Sequence, residues 1–399
     1  MKKILIVINS LNIGGPQKSL LGFLDNIDYE KYDIDLYVLQ PGGELEKFIN
    51  KNVNILKVNP IHTALTYPKD RVFMTIKTLF LSRFILSVLY FFKTIIFRKS
   101  MKKFRQNNWK NMRKKIPKLE KEYDTAIGIL GLSTYFIVDC VKAKVKVHWV
   151  RSDIRMLNSD ENIDNFYYKK IDLVIAVSNK TAAIFIERYP FIKNKMVIFY
   201  NLLPLEFYKR ISEDNYTEID EVSEKIKIIV TIARLDPLKG FDLCLDACEL
   251  LKEKRNNFKW FVLGDGIERA KIEKEIIARN LQDHFILLGF KLNTFVFLQK
   301  SDLLVHASRA EGKSNVIDEA KYLGKPIVVT NYPTVSEQVI DGVNGLVSEF
   351  SGKSIFENIE KIFSDKHLAK KISHNNKSEE NSNKYFQRTN DLLEKLVNL

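Results

Sequence analysis

The sequence predicts an α/β chain of two doubly wound, Rossmann-like domains. Its 399 residues exceed what one ordinary hydrophobic core holds together. Short continuous apolar runs alternate with segments of helical spacing, which is the pattern of parallel strands covered on both faces. That alternation breaks once, across the polar stretch Leu202 to Glu224 with its Pro204, and then starts again.

The elements follow in order. Ile4 to Ile8 is a buried-strand run, and Gly14 and Gly15 make a turn. Ser19, Leu20, Leu21, Phe23 and Leu24 then recur at helical spacing. The opening MKKILIVINS is basic and apolar like a signal peptide, but its run ends in a polar glycine turn without a small-residue cleavage site. A first strand of a cytosolic protein is therefore expected. Further strands are predicted at Ile34 to Leu39, Val53 to Val58, Thr125 to Ile129, Val145 to Val150, Leu173 to Val177 and Met196 to Tyr200. After the break come strands at Lys227 to Ile232, Lys259 to Leu263, Phe285 to Leu288, Leu303 to Ala307 and Ile327 to Thr330. Helices are predicted at Phe241 to Lys254, Glu268 to Asn280 and Val316 to Leu323. The polar tail Ser373 to Asn383 suggests a loop before a last helix, Asp391 to Val397. The domains expected are 1–205, 206–378, and a terminal segment 379–399 whose helix returns to the first domain. Two such units facing each other would form a cleft at the carboxyl ends of their strands.

The net charge of +14 is concentrated in one place. Residues 66–118 carry fifteen Lys and Arg against the single acid Asp70, so the rest of the chain is neutral. Phe73, Phe80, Phe84, Tyr90, Phe91, Phe92 and Phe97 interleave with these cations, ahead of the run Arg98, Lys99, Lys102, Lys103 and Arg105. An apolar face with basic flanks suits a helix lying in an anionic membrane surface. A helical hairpin packed in the first domain with solvated cations is the plainer alternative. No groove-reading motif points to nucleic acid. The apolar stretch Phe84 to Phe92 is bracketed by Arg83 and Lys93 and is too short to span a bilayer. With three cysteines, Cys140, Cys244 and Cys248, the last two four apart on an expected helix where they pack as small apolar groups, no disulfide framework is expected. Asp33 and Asp35 form an acidic pair at a strand start, and the histidines lack ligand spacing, so no metal site is expected.

The most specific stretch is EGKSNVIDEAKYLGKPIVVTNYPTVSEQVIDGVNGLV, residues 311–347. Glu311, seven intervening residues, Glu319, Ala320, the Gly324-Lys325-Pro326 turn, then Glu337 and Asn344-Gly345 resemble the donor-binding signature of the family 4 retaining glycosyltransferases. Arg234 and Lys239 in ARLDPLKGFD resemble that family's basic pair, Gly264-Asp265-Gly266 its next strand end, and Gly14-Gly15 its amino-terminal glycine loop.

The resemblance implies the GT-B architecture and transfer from a nucleotide-diphosphate sugar, with the donor as substrate and neither cofactor nor metal. The departing diphosphate gathers negative charge. Arg234 and Lys239 can meet it, assisted by backbone N–H groups near Lys313, Ser314 and Asn315. Glu319 is expected on the ribose and Glu311 on the donor sugar; if both were helical they would lie about 12 Å apart along the axis. Gly14, Gly15 and Gly264 complete the implied donor site. Members of the family often carry a histidine at a strand end in the first domain. Here Arg151 stands at that position and His148 three residues earlier, on opposite faces of an unbulged strand. Both are kept as catalytic candidates beside Glu311, Arg234 and Lys239, with Arg151 and Asp153 preferred.

The expected function is retaining transfer of a sugar to a lipid-linked glycan in cell-surface polysaccharide (capsule or lipopolysaccharide) synthesis at the inner face of the membrane. A nucleotide-sugar epimerase or hydrolase of similar fold, or a non-catalytic membrane scaffold, are the rivals.

Overall fold

The computed structural model describes residues 1–66, 101–151, 153–156, 158–211, 217–377 and 382–399. They form two compact units, Met1–Pro204 with Ser382–Leu399, and Leu205–Asn381.

Unit 1 is a seven-stranded parallel sheet: β1 Lys2–Ser10, β2 Tyr32–Gln40, β3 Asn54–Ile55, β4 Glu122–Ile129, β5 Lys142–Val150, β6 Leu173–Ala176 and β7 Met196–Ile198. The spatial order is β3-β2-β1-β4-β5-β6-β7. Ile4 to Ile8 are fully buried because helices cover both sheet faces, which is why the run is continuously apolar. Trp149 packs edge-on against Phe23 and Phe199 on one face. Tyr37 stacks on Phe136, with Trp109 beside it, on the other. Trp109 belongs to helix Met101–Met112, so this part of the basic segment packs into the unit's core. Residues 67–100 of that segment lie outside the described residues.

Unit 2 repeats the scheme with β8 Lys227–Ile232, β9 Phe258–Leu263, β10 Phe285–Gly289, β11 Leu303–His306, β12 Ile327–Thr330 and β13 Leu346–Ser348, ordered β10-β9-β8-β11-β12-β13. Neighbouring strand residues feed opposite layers: Trp260 joins Cys244, Cys248 and Phe285, while Phe261 joins Phe297, Ile317 and Tyr332. All three cysteines are buried and free.

Several elements differ from expectation. The strand expected over Val53 to Val58 pairs only at Asn54–Ile55, at the sheet edge, where polar Asn52 and Asn54 and the approach to Pro60 limit pairing. Of the tail expected as a loop, Ser373 to Asn376 close helix Lys366–Asn376, which is capped by Asp365 and anchored by buried Ile372, and 378–381 lie outside the described residues. The last helix starts at Ser382 rather than Asp391, since Tyr385, Thr389, Leu392, Leu393 and Leu396 share its buried side. Thr125 donates its hydroxyl to Leu396 O at 3.2 Å, and Asp28 N–H donates to Asn390 Oδ1 at 2.9 Å, tying this helix to unit 1.

Candidate functional site

In a doubly wound sheet the chain leaves adjacent strands in opposite directions at one point, and the loops there part to leave a crevice. In unit 2 that point lies between β8 and β11. The loop after β8 carries Arg234 and Lys239, and the loop after β11 carries Glu311.

Lys239 Nζ lies 2.5 Å from Glu311 Oε1, with 15% and 17% of the two side chains exposed. Gly240 explains the approach. Its φ is +64°, and a Cβ there would lie 2.1 Å from Ala307 O, so only glycine lets this loop press against the end of β11. Arg309 N–H donates to Leu238 O at 2.7 Å and holds the two loops together. His306, the last residue of β11, places Nε2 3.2 Å from the same Glu311 oxygen. Burial would raise the Glu311 carboxyl, but the His306 hydrogen bond and the Lys239 charge outweigh it and hold the group at about 2. Glu311 is therefore a fixed anion. Thr334 donates its hydroxyl to Glu311 O at 2.9 Å and secures the main chain as well.

Glu311 precedes helix Asn315–Tyr322, so only Glu319 of the two glutamates is helical and the axial spacing expected for them does not apply. Glu319 is buried and accepts the Tyr208 hydroxyl at 2.5 Å. Ser314 N–H donates to Gln338 Oε1 at 2.7 Å, and Gln338 Nε2 donates back to Ser314 O at 2.8 Å. That amide is thus already engaged. Gln338 also holds Asp318, the ion-pair partner of Lys313. Asn315 opens the helix. Arg234 stands apart, 81% exposed and 3.1 Å from Asp236. Gly264 follows β9 with φ +144°, and a Cβ would meet Ala233 O at 1.9 Å.

The unit 1 candidates have other surroundings. Gly14 is the extended N-cap of helix Gly15–Leu24. His148 is buried, bonded through Nδ1 to the Thr134 hydroxyl at 2.5 Å and stacked on Tyr168; burial pulls it down to about 3. Arg151 is also buried, its guanidinium 4.9 Å from the Trp149 ring centre, and burial lowers it to about 9. It remains a cation at neutral pH. Asp153 pairs with Arg155 rather than Arg151. Asp33 and Asp35 are both paired with Lys121.

His306 and Gln338 were not singled out from the sequence. A histidine closing a predicted apolar strand, five residues before Glu311, is a weak signal in hindsight; Gln338 leaves none.

This fold is that of the GT-B glycosyltransferases. The Anabaena protein HepE, solved in complex with UDP and glucose, aligns over 100% of both chains at TM-score 0.69 and 17% identity. Residues 212–379, essentially unit 2, match the family described as glycosyl transferases group 1. A Campylobacter jejuni N-acetylgalactosamine-N,N'-diacetylbacillosaminyl-diphospho-undecaprenol 4-alpha-N-acetylgalactosaminyltransferase is 26% identical over 51% of this chain and 54% of its own. A Salmonella typhimurium lipopolysaccharide 1,2-N-acetylglucosaminetransferase is 28% identical over 40% and 45%. The matches span about half the length of the curated relatives.

Proposed function

We propose that the chain is a retaining glycosyltransferase that takes a sugar from a nucleotide diphosphate without a metal ion and passes it to a lipid-linked glycan. The observation that carries this reading is the Lys239–Glu311 pair, buried with His306 on the two loops that leave the unit 2 switch point. A buried cation and a fixed anion at that position suit the two ends of a donor's reacting bond. Lys239, with exposed Arg234, meets the diphosphate as its charge grows, and Glu311 holds a sugar hydroxyl. Glu319 is assigned to the ribose, with Gly264 and the Lys313 to Asn315 segment beside the nucleotide. In unit 1, Gly14 and Gly15 and the buried cation Arg151 are assigned to the reaction. His148 is assigned to packing.

The acceptor class is inferred from the relatives named above. The basic segment 66–118 is assigned to an anionic membrane surface, placing the chain at the inner face of the cell membrane. Among the described residues no helix is long and apolar enough to cross a membrane.

The test is calorimetric titration with a panel of nucleotide diphosphates in chelator. Saturable binding that weakens roughly 10-fold in Arg234→Ala supports the donor site, since a charged hydrogen bond contributes about 1.5–3 kcal/mol. Arg234 is too exposed for the change to disturb folding. Absence of binding across the panel, or indifference to Arg234→Ala, overturns it.

A further inference from the structure

Unit 1 has a switch point of its own, between β1 and β4. A recess of about 300 Å³ lies there, lined by Asn9 near the end of β1 and by Leu130 to Ser133 after β4. Its polar groups include hydrogen-bond donors without an acceptor among the described residues. Helix Gly131–Cys140 starts in the recess, and its N-cap, Leu130, supplies no side-chain hydrogen bond. The N–H groups of Gly131, Leu132 and Ser133 have no carbonyl acceptor among the described residues. Ser133 lines the same recess and is 1% exposed, and its buried hydroxyl has no hydrogen-bond partner among the described residues. A buried hydroxyl without a partner is costly unless something else meets it. Leu130 holds φ +65° and ψ 161°, a conformation that side-chain-bearing residues avoid.

Charge in the recess is mixed. Arg105, from helix Met101–Met112, lines it. Asp164 is the only acid among the described lining residues. Its Oδ1 accepts from the Tyr135 hydroxyl and, at 3.1 Å, from Gln106 Nε2, while its Oδ2 accepts the Tyr189 hydroxyl at 3.2 Å. Its charge is spread over three protein donors. The first amides of the helix and Ser133 line the recess together with Asn9, Gln106 and Arg105, and Ile129, Leu132 and Tyr168 form an apolar wall.

We propose that this recess is an oxyanion site that takes a phosphate group, by the attraction between an anion and the amino-terminal end of a helix. Its use as the hold on a phosphorylated acceptor rests on the transferase reading; the anion site itself does not. The apolar wall would lie against carbon attached to the phosphate.

The experiment titrates the full chain at low ionic strength with inorganic phosphate and, separately, with a short-chain prenyl monophosphate. Gly131→Asp is the principal variant, because a Cβ at Gly131 meets nothing within 4 Å and the added carboxylate would sit at the helix end. Ser133→Ala is the second, and Lys239→Ala removes the unit 2 cation. Phosphate binding should persist in Lys239→Ala, weaken at least 10-fold in Gly131→Asp and weaken about 5-fold in Ser133→Ala, the worth of one hydrogen bond. Prenyl phosphate binding more than 10-fold tighter than inorganic phosphate, and lost in Gly131→Asp, identifies a lipid phosphate; equal affinities identify free phosphate. Binding that ignores Gly131→Asp, or that disappears in Lys239→Ala alone, overturns the proposal, as does no phosphate binding. If nucleotide diphosphates fail to bind while phosphate behaves as expected, the transferase reading falls and the anion site stands.

Discussion

Replacing Lys239 by Met removes the cation beside Glu311 and nothing else of similar size. Two routes give the cost. Breaking a buried ion pair by deleting one partner typically costs about 3–5 kcal/mol, because the other charge stays behind unpaired. Independently, the Glu311 carboxyl falls from 4.5 to about 2 on folding, and at about 1.4 kcal/mol per pH unit that depression corresponds to about 3 kcal/mol. Lys239 supplies only part of it, since His306 shares the oxygen. We therefore expect Lys239→Met to destabilise unit 2 by about 3 kcal/mol at pH 7. Because the folded carboxyl is the more acidic, the stabilisation is complete above the unfolded value of 4.5 and drains away as pH falls toward 2. The variant should lose much of that acid dependence. Adding Glu311→Gln should restore about 2 kcal/mol, since neither charge is then stranded. Urea unfolding combined with amide exchange in β8 and β11 measures unit 2 by itself. Nucleotide-diphosphate binding should not recover in the double variant. A cost below about 1 kcal/mol, or no coupling between the two changes, would mean that the pair behaves as a solvent-exposed one and refute the reasoning.

Gly264→Ala should cost unit 2 about 3 kcal/mol or more in urea unfolding, whereas Gly42→Ala, whose φ is +93° but whose Cβ would meet nothing within 4 Å, should cost only about 1–2; equal costs would remove the steric argument. Burial lowers His148 to about 3 and His62 to about 4, so unit 1 should be fully stabilised above pH 6.5 and lose about 1.4 kcal/mol per pH unit per site as pH falls below it. His62→Gln should flatten that slope, and an unchanged slope of stability against pH would contradict the assignment. Reversing Arg98, Lys99, Lys102 and Lys103 to Glu should weaken binding to anionic vesicles by at least about 10³-fold, at about 1 kcal/mol per cation, without changing nucleotide affinity. Vesicle binding that survives would end the membrane argument.

The central strands were legible because their residues are buried on both faces: Ile4 to Ile8 and Ile327 to Thr330 present no polar side to confuse the pattern. The edges were not. Asn54–Ile55 and Leu346–Ser348 are too short for periodicity to register, and the last turn of helix Lys366–Asn376, Ser373 to Asn376, is polar enough to resemble a loop. At the candidate site, spacing picked out Lys239 and Glu311 without showing that they touch. Their contact depends on the close passage of Gly240 by Ala307, a tertiary fact with no sequence period. His306 was hidden for a related reason, since a histidine in an apolar strand can be packing or partner until its neighbours are known. The same ambiguity at His148 has the opposite outcome, with Thr134 and Tyr168 as its surroundings.

The two units share a strand order, and the order accounts for where their unusual chemistry lies. At a switch point the strand ends are not covered by their own crossover helices, so polar groups there can stay unpaired toward a ligand at less cost than elsewhere in the fold. Unit 2 places a cation against an anion there, a combination that is stable without ligand because each charge answers the other. Unit 1 places the one described acid of its recess, Asp164, under three protein donors and leaves further donors beside it without an acceptor among the described residues, and donors cannot satisfy one another. The Ser133 hydroxyl and the first amides of its helix therefore demand an outside acceptor in a way that Lys239 and Glu311 do not. That difference gives the two sites opposite responses to mutation. Neutralising one member of the unit 2 pair should destabilise the fold, whereas Ser133→Ala, which deletes a hydroxyl that meets nothing, should leave unit 1 as stable or more so while weakening phosphate.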